Sequence, residues 1–201
     1  MSENHLLFEK FVSLYEKSFS IIFKKNHPAI IHFMNQQKHQ KILEIGVGTG
    51  DFLHHYPQDS SVFGIDISQK MIEFAKAKES NVNLQVMNAL DMSFADNSFD
   101  LVICKSVFSV VKEPFKLISE IKRVLKPNGK IILVTKFQRD NVLSKSFFLF
   151  ANIISKIFFG YTIDYSLNEF IQKSELKLLA RQDIYFGIFP FQDALYLSKI
   201  N

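Results

Sequence analysis

Three of the seven glycines in this chain, Gly46, Gly48 and Gly50, fall within five positions of ILEIGVGTGDF, Ile42 to Phe52. Glycines spaced this way let the backbone turn sharply and approach a ligand closely, and a helix expected directly after them offers its N-terminal amides. An acid, Glu44, precedes the loop, and a second, Asp66, stands in VFGIDIS 20 residues after Gly46. A carboxylate at that spacing can accept hydrogen bonds from both hydroxyls of a ribose. A third polar group, Asn88, opens NALDMSFADNSFDLVI. Three such elements in order, each after an apolar run, predict a nucleoside-containing cofactor at the carboxyl ends of parallel strands.

The elements that must carry these residues alternate along the chain. Strands are expected over Lys41 to Ile45, Ser61 to Ile65, Asn83 to Met87, Phe99 to Cys104 and Lys130 to Thr135, with helices over Gln69 to Lys78 and Pro114 to Leu125. Short apolar strands separated by amphipathic helices are the pattern of βαβ units, hence of a mostly parallel sheet with helices on both faces. Leu176 to Phe186 and Phe189 to Ser198 read as an antiparallel hairpin turning around Gly187 at the sheet edge. Leu6 to Lys25 has helical period, with Glu9, Lys10, Glu16, Lys17 and Lys24 on one face and Phe8, Phe11, Tyr15, Phe19 and Ile22 on the other. A second short helix is expected from the His27-Pro28 break to about Gln37. The division is thus an N-terminal amphipathic cap, 1–37, and a cofactor-binding domain, 38–201, with an apolar helical insertion at 139–161. That insertion carries Lys145 and Lys156 within its apolar run, which disfavours a membrane-spanning helix.

Two cofactor classes compete for the glycine loop. A dinucleotide site spaces its glycines G-x-G-x-x-G, whereas here the third comes one residue early and Glu44 would repel a pyrophosphate. The acid-x-G-x-G-x-G pattern resembles the first motif of class I S-adenosylmethionine-dependent methyltransferases, whose cofactor carries an ammonium and a carboxylate in place of phosphates. The resemblance implies a Rossmann-like fold, with the cofactor held by Glu44, Gly46, Gly48, Thr49 and Gly50, by Asp66, Ile67 and Met71, and by Asn88, Ala89 and Leu90. Asn88 stands where that family often has an acid, and its amide oxygen can still accept from an adenine amino group.

A narrower resemblance bears on the methyl acceptor. GVGTGDFLHHYP, GIDISQKMIEFAKAK, SVFSVVKEP, EIKRVLKPNGKIILVTKF and GYTIDYSLNEFIQKSELKL are similar to segments of the soluble bacterial phosphatidylethanolamine N-methyltransferases. This implies a membrane lipid amine as substrate, Ser106 and Phe108 near its head group, and Tyr15, in FEKFVSLYEKSF, over the cofactor pocket as the catalytic contact. Phe8 and Glu16 stand where that family has Tyr and Asp, and Lys136 stands where a histidine is common.

Composition narrows the alternatives. A single cysteine, Cys104, excludes a disulfide framework, and its apolar strand makes it a core thiol. His54 and His55, adjacent on a helix, would point to different sides as surface residues, and no metal site is expected. Cys104-Lys105-Ser106-Val107-Phe108 lacks the acid-or-amide, two-proline and aromatic run common in methylases of planar nitrogens. The basic excess lies in two segments: residues 1–41 hold six Lys and three Glu, +3, and 137–161 hold Arg139, Lys145 and Lys156 against Asp140, +2, so the rest of the chain carries −1 of the net +4. Residues 1–25 and 141–161 also hold 9 of the 22 Phe in less than a quarter of the chain. Basic, Phe-rich amphipathic segments suit peripheral contact with an anionic membrane rather than nucleic acid. Glu3, Glu9 and Lys10 interrupt any signal-peptide core, so a cytoplasmic protein is expected. Three other readings stay open: helices that serve only as a lid, a quinone-like or other small-molecule acceptor, and a non-catalytic cofactor-binding protein.

Overall fold

The computed structural model describes residues 24–36, 38, 41–79, 81–138, 165–186 and 189–200. They form a seven-stranded sheet of strands β1 (Lys41–Ile45), β2 (Ser61–Asp66), β3 (Asn83–Val86), β4 (Phe99–Lys105), β5 (Leu125–Thr135), β6 (Leu176–Phe186) and β7 (Phe189–Lys199). The spatial order is β3-β2-β1-β4-β5-β7-β6. The first five strands pair in parallel, and β7 runs antiparallel between β5 and β6. The alternation predicts this mostly parallel sheet and the C-terminal segment its hairpin, and the family resemblance implies its Rossmann-like topology. The chain order reverses at β1, so the connections that leave the carboxyl ends of β1 and β4 run in opposite directions along the sheet, the place where open parallel sheets bind ligands.

Helices α1 (His27–Met34), α2 (Gln69–Lys78), α3 (Pro114–Val124) and α4 (Leu167–Ser174) cover the two faces. On one face Ile30 and Phe33 of α1 and Ile72 and Ala75 of α2 share a core with Ile42, Phe52, Leu101 and Tyr196. Phe33 stacks on Tyr196 at 5.4 Å, so α1 packs into the core of the sheet. On the other face Leu117, Ile118, Ile121 and Val124 of α3 bury against Val102, Ile131 and Leu133. Each such side chain contributes about 1.5–3 kcal/mol relative to exposure.

Local chemistry sets most boundaries. The Ser68 hydroxyl accepts from the Met71 amide at 3.3 Å and starts α2 at Gln69. A capping box between Ser166 and Glu169 starts α4, a helix the sequence reading did not assign. β5 begins at Leu125 rather than Lys130, because its pairing with β4 shifts from Phe99↔Leu125 to Leu101↔Lys130 around the bulged KPNG segment. The expected helix after the glycine loop is absent. A 3₁₀ turn, Leu53–His55, takes its place, because Pro57 forces Tyr56 into an extended conformation with ψ 143°. Most of the expected helix Leu6 to Lys25, Tyr15 on it, the segment Asn141 to Tyr161 and the turn at Gly187 lie outside the described residues; Lys24–Asn26 form a 3₁₀ turn. No helix among the described residues is long and apolar enough to cross a membrane.

Candidate cofactor and methyl-transfer site

The glycine loop leaves β1 in a left-handed path, with φ +75° at Gly46, +56° at Gly48 and +81° at Gly50. L-residues avoid this region at a cost of roughly 1–2 kcal/mol each. A Cβ on Gly46 would stand 2.1 Å from Val107 Cγ2, which ties the loop to the segment after β4. A Cβ on Gly48 would meet no described atom within 4 Å. The loop is therefore open at Gly48 while its flanks are packed.

Asp66, at the end of β2, holds this loop in place. Its Oδ2 accepts from the Gly48 amide at 3.0 Å, and its Oδ1 accepts from the Ser68 amide at 2.9 Å. Burial raises its carboxyl above the ordinary range, with the Ser68, Gly48 and Ile67 amides pulling the other way. With three amides donating, the carboxylate keeps acceptor capacity for a further donor. Ile67 beside it is 44% exposed and offers an apolar surface against which a planar ring can lie. Met71, by contrast, is buried, as is Thr49.

The Asn88 segment is also pre-shaped. Asn88 Oδ1 accepts from the Leu90 amide at 3.0 Å, so one of its lone pairs is already used in a tight turn containing Ala89. Arg123 braces the chain that follows, bonding Phe94 O, Met92 O, Asp96 and Glu120 at 2.6–2.9 Å.

Glu44 lies in the floor of the crevice with no exposure. Its Oε2 accepts the Tyr56 hydroxyl at 2.8 Å. Burial, then the adjacent Glu44 carboxylate, raises the Tyr56 hydroxyl well above its ordinary value. Glu44 Oε1 stands 3.3 Å from Lys105 Nζ yet accepts no directed hydrogen bond. His27 packs edge-on against Phe52 at 5.0 Å and against His55 at 5.1 Å, and its Nε2 is buried without a hydrogen-bond partner. Burial, reinforced by Lys105, lowers His27 to about 3, so the ring is neutral. The rings of His54 and His55 lie 4.0 Å apart, so the two do not diverge as a full helix would make them, and His55 is half-buried.

Past β4, Ser106 adopts φ +61° and its hydroxyl accepts from Gln192 Nε2 at 2.9 Å. Gln192 Oε1 in turn faces Asn26 Nδ2 at 3.4 Å, while Asn26 Oδ1 is buried without a partner. A non-glycine residue in that conformation costs about 1–3 kcal/mol and marks a held, preorganised corner. Phe108 is not at this mouth. It is 2% exposed, with Phe170 and Phe115 edge-on at 5.2 Å and 6.0 Å, and its role is core packing. Cys104 is a core thiol, pushed by burial up to about 12. Burial lowers Lys136, at the end of β5, to about 8.

A family model described as a methyltransferase domain matches residues 43–133, which span the glycine loop, Asp66, Asn88 and Ser106. The phosphatidylethanolamine N-methyltransferase of Cereibacter sphaeroides is 30% identical over 162 residues, covering 75% of this chain and 77% of that one. This chain belongs to the class I S-adenosylmethionine-dependent methyltransferases. The methyltransferase is also 27% identical to the demethylmenaquinone methyltransferase of Oceanobacillus iheyensis over 196 residues, covering 86% of this chain and 82% of that one. Its fold is shared by geranyl diphosphate C-methyltransferase from Streptomyces coelicolor, solved with S-adenosyl-L-homocysteine, at TM-score 0.67 and 14% identity over 88% of this chain and 77% of that one.

As a member of that family, this methyltransferase takes S-adenosylmethionine as its cofactor. Three observations fit it: the open cradle above Gly48, the exposed Ile67 beside a ribose-competent Asp66, and the buried Glu44 oxygen with no directed donor. Sequence reasoning passed over Lys105, Gln192, Asn26 and Tyr56. A lysine ending the apolar strand FDLVICK was the one visible sign among them.

Proposed function

We propose that this methyltransferase transfers methyl groups to the amine of phosphatidylethanolamine and its mono- and dimethyl derivatives, at the surface of an anionic membrane. The observation that carries this reading is the 30% identity to a phosphatidylethanolamine N-methyltransferase across three quarters of both chains. The basic, Phe-rich segments at 1–25 and 141–161 support it independently, since that combination suits an enzyme that draws its substrate from a lipid surface.

In this reading Gly46, Gly48 and Gly50 cradle the amino-acid end of the cofactor, Asp66 takes the ribose hydroxyls, Ile67 lies against the adenine, and Asn88, Ala89 and Leu90 border its edge. Glu44 receives the cofactor's ammonium on its unbonded oxygen. The cofactor supplies an electrophilic methyl group on a sulfonium. Transfer to an amine is an in-line displacement, so the contribution of the chain is positioning. Ser106, fixed by Gln192, borders the acceptor's approach, and Tyr15 is the catalytic contact that the family resemblance implies.

A second reading has its own support: demethylmenaquinone methyltransferases match more of the chain, 86%, at 27% identity. Under it the acceptor is a quinone-like ring carbon. Purified protein given labelled S-adenosylmethionine with vesicles containing phosphatidylethanolamine, or with a demethylated quinone, separates the two. Label in the lipid is expected; label confined to the quinone overturns the lipid assignment and leaves the methyltransferase.

A further inference from the structure

Lys105 is the last residue of β4, and Ile45 pairs with Cys104, so the lysine emerges beside the start of the glycine loop. Its carbonyl oxygen is 3.6 Å from where a Cβ on Gly46 would stand. The side chain is 9% exposed, its ammonium lies 5.4 Å from the centroid of the Phe52 ring, and its anionic neighbour is Glu44, fully buried, at 3.3 Å.

As a structural element this pair is poorly made. Removing two charges from water is costly, and a buried pair offsets that cost only with close, directed geometry and every remaining donor and acceptor satisfied. Here Glu44 Oε1 accepts no directed hydrogen bond, although its companion Oε2 is firmly held by Tyr56 at 2.8 Å. A carboxylate and an ammonium side by side, loosely coupled and shielded from water, are the electrostatic complement of an amino-acid zwitterion. They can separate slightly and receive an opposite pair between them.

We propose that Lys105 binds the α-carboxylate of S-adenosylmethionine, and that it neutralises Glu44 in the free enzyme until the cofactor's α-ammonium takes that place. The Lys105–Glu44 contact is then exchanged for two: Glu44 to ammonium and Lys105 to carboxylate, with no net charge left unpaired. Lys105 is thus a cofactor-positioning residue. The inference rests on the cofactor assignment at Glu44 and is independent of which acceptor is methylated.

Calorimetry with S-adenosylhomocysteine and with its decarboxylated analogue, which keeps the adenosine, thioether and amine, isolates the carboxylate. The wild type is expected to prefer the carboxylated ligand by roughly ten- to a hundredfold, the value of a charge-assisted hydrogen bond. Lys105→Met should bind both nearly equally, and Lys105→Arg should recover part of the preference. Glu44→Gln should weaken both ligands together, because both carry the ammonium. A wild-type preference that persists in Lys105→Met overturns the proposal. So does a wild type indifferent to the carboxylate, which needs no variant to fold. Failure of the wild type to bind either ligand would remove the cofactor assignment at Glu44 itself, and this inference with it.

Discussion

Alanine at Gly48 and alanine at Gly46 should fail in different ways, and the difference reports where the ligand lies. Gly48 has φ +56°, and a Cβ there meets no described atom within 4 Å. Its cost to the free protein is the left-handed strain, roughly 1–2 kcal/mol, less the 0.4–1 kcal/mol that alanine recovers by restricting the unfolded chain. A net loss of about 1 kcal/mol lowers Tm by roughly 2–4 °C in a chain of this length. Gly46 carries the same strain at φ +75°, and its Cβ would stand 2.1 Å from Val107 Cγ2. Val107 is β-branched and has few rotamers into which to retreat, so overpacking adds roughly 1–3 kcal/mol and Tm should fall at least twice as far. Binding should discriminate more sharply. The methyl of Gly48→Ala projects into the space assigned to the cofactor, and about tenfold weaker S-adenosylhomocysteine binding corresponds to only 1.4 kcal/mol of obstruction. Differential scanning calorimetry and titration calorimetry on the two variants read both quantities. A folded Gly48→Ala protein with undiminished affinity would refute the placement of the ligand over the loop, and equal thermal losses in the two variants would refute the steric account of Gly46.

Asp66→Ala removes the acceptor of the Gly48 and Ser68 amides as well as the proposed ribose contact, and should weaken S-adenosylhomocysteine binding by about 1–3 kcal/mol; unchanged affinity in a folded variant would count against the assignment. His27 has a folded-state value of about 3 against 6.5 for the free side chain, so the unfolded chain binds more protons between those values and stability falls as pH drops through that window. Between pH 7 and pH 5 the loss should be about 1–2 kcal/mol after allowance for solvent screening, and it should vanish in His27→Leu; parallel pH profiles of the two proteins in urea unfolding would exclude it. Glu at Lys10, Lys17 and Lys24 should release the protein from anionic vesicles, each lysine contributing about 1 kcal/mol near such a surface; sedimentation indifferent to both this triple substitution and salt would favour a helix that serves only as a lid.

What the sequence alone determined about this methyltransferase is the part governed by near neighbours along the chain. Strand β1 and helix α2 fall at Lys41–Ile45 and Gln69–Lys78, as their apolar period and the Ser68 cap require, and the glycine spacing locates the left-handed loop. Local chemistry was also sufficient, though not weighed, for the 3₁₀ turn at Leu53–His55, which Pro57 cuts short, and for α4, which Ser166 and Glu169 cap. The occupants of the crevice were decided by tertiary structure. Lys105 reaches Glu44 across 61 positions and Gln192 reaches Ser106 across 86, contacts created by strand order rather than by any local pattern. Periodicity reports which face of an element is apolar. It carries no information about which charge from another strand is buried against that face, nor does a resemblance along the chain show that the ring of Phe108, which it implies near the head group, is packed between Phe115 and Phe170. The cofactor loop is a backbone conformation and is written locally; the charges that line it are partners brought from distant strands, and only the closed sheet brings them together.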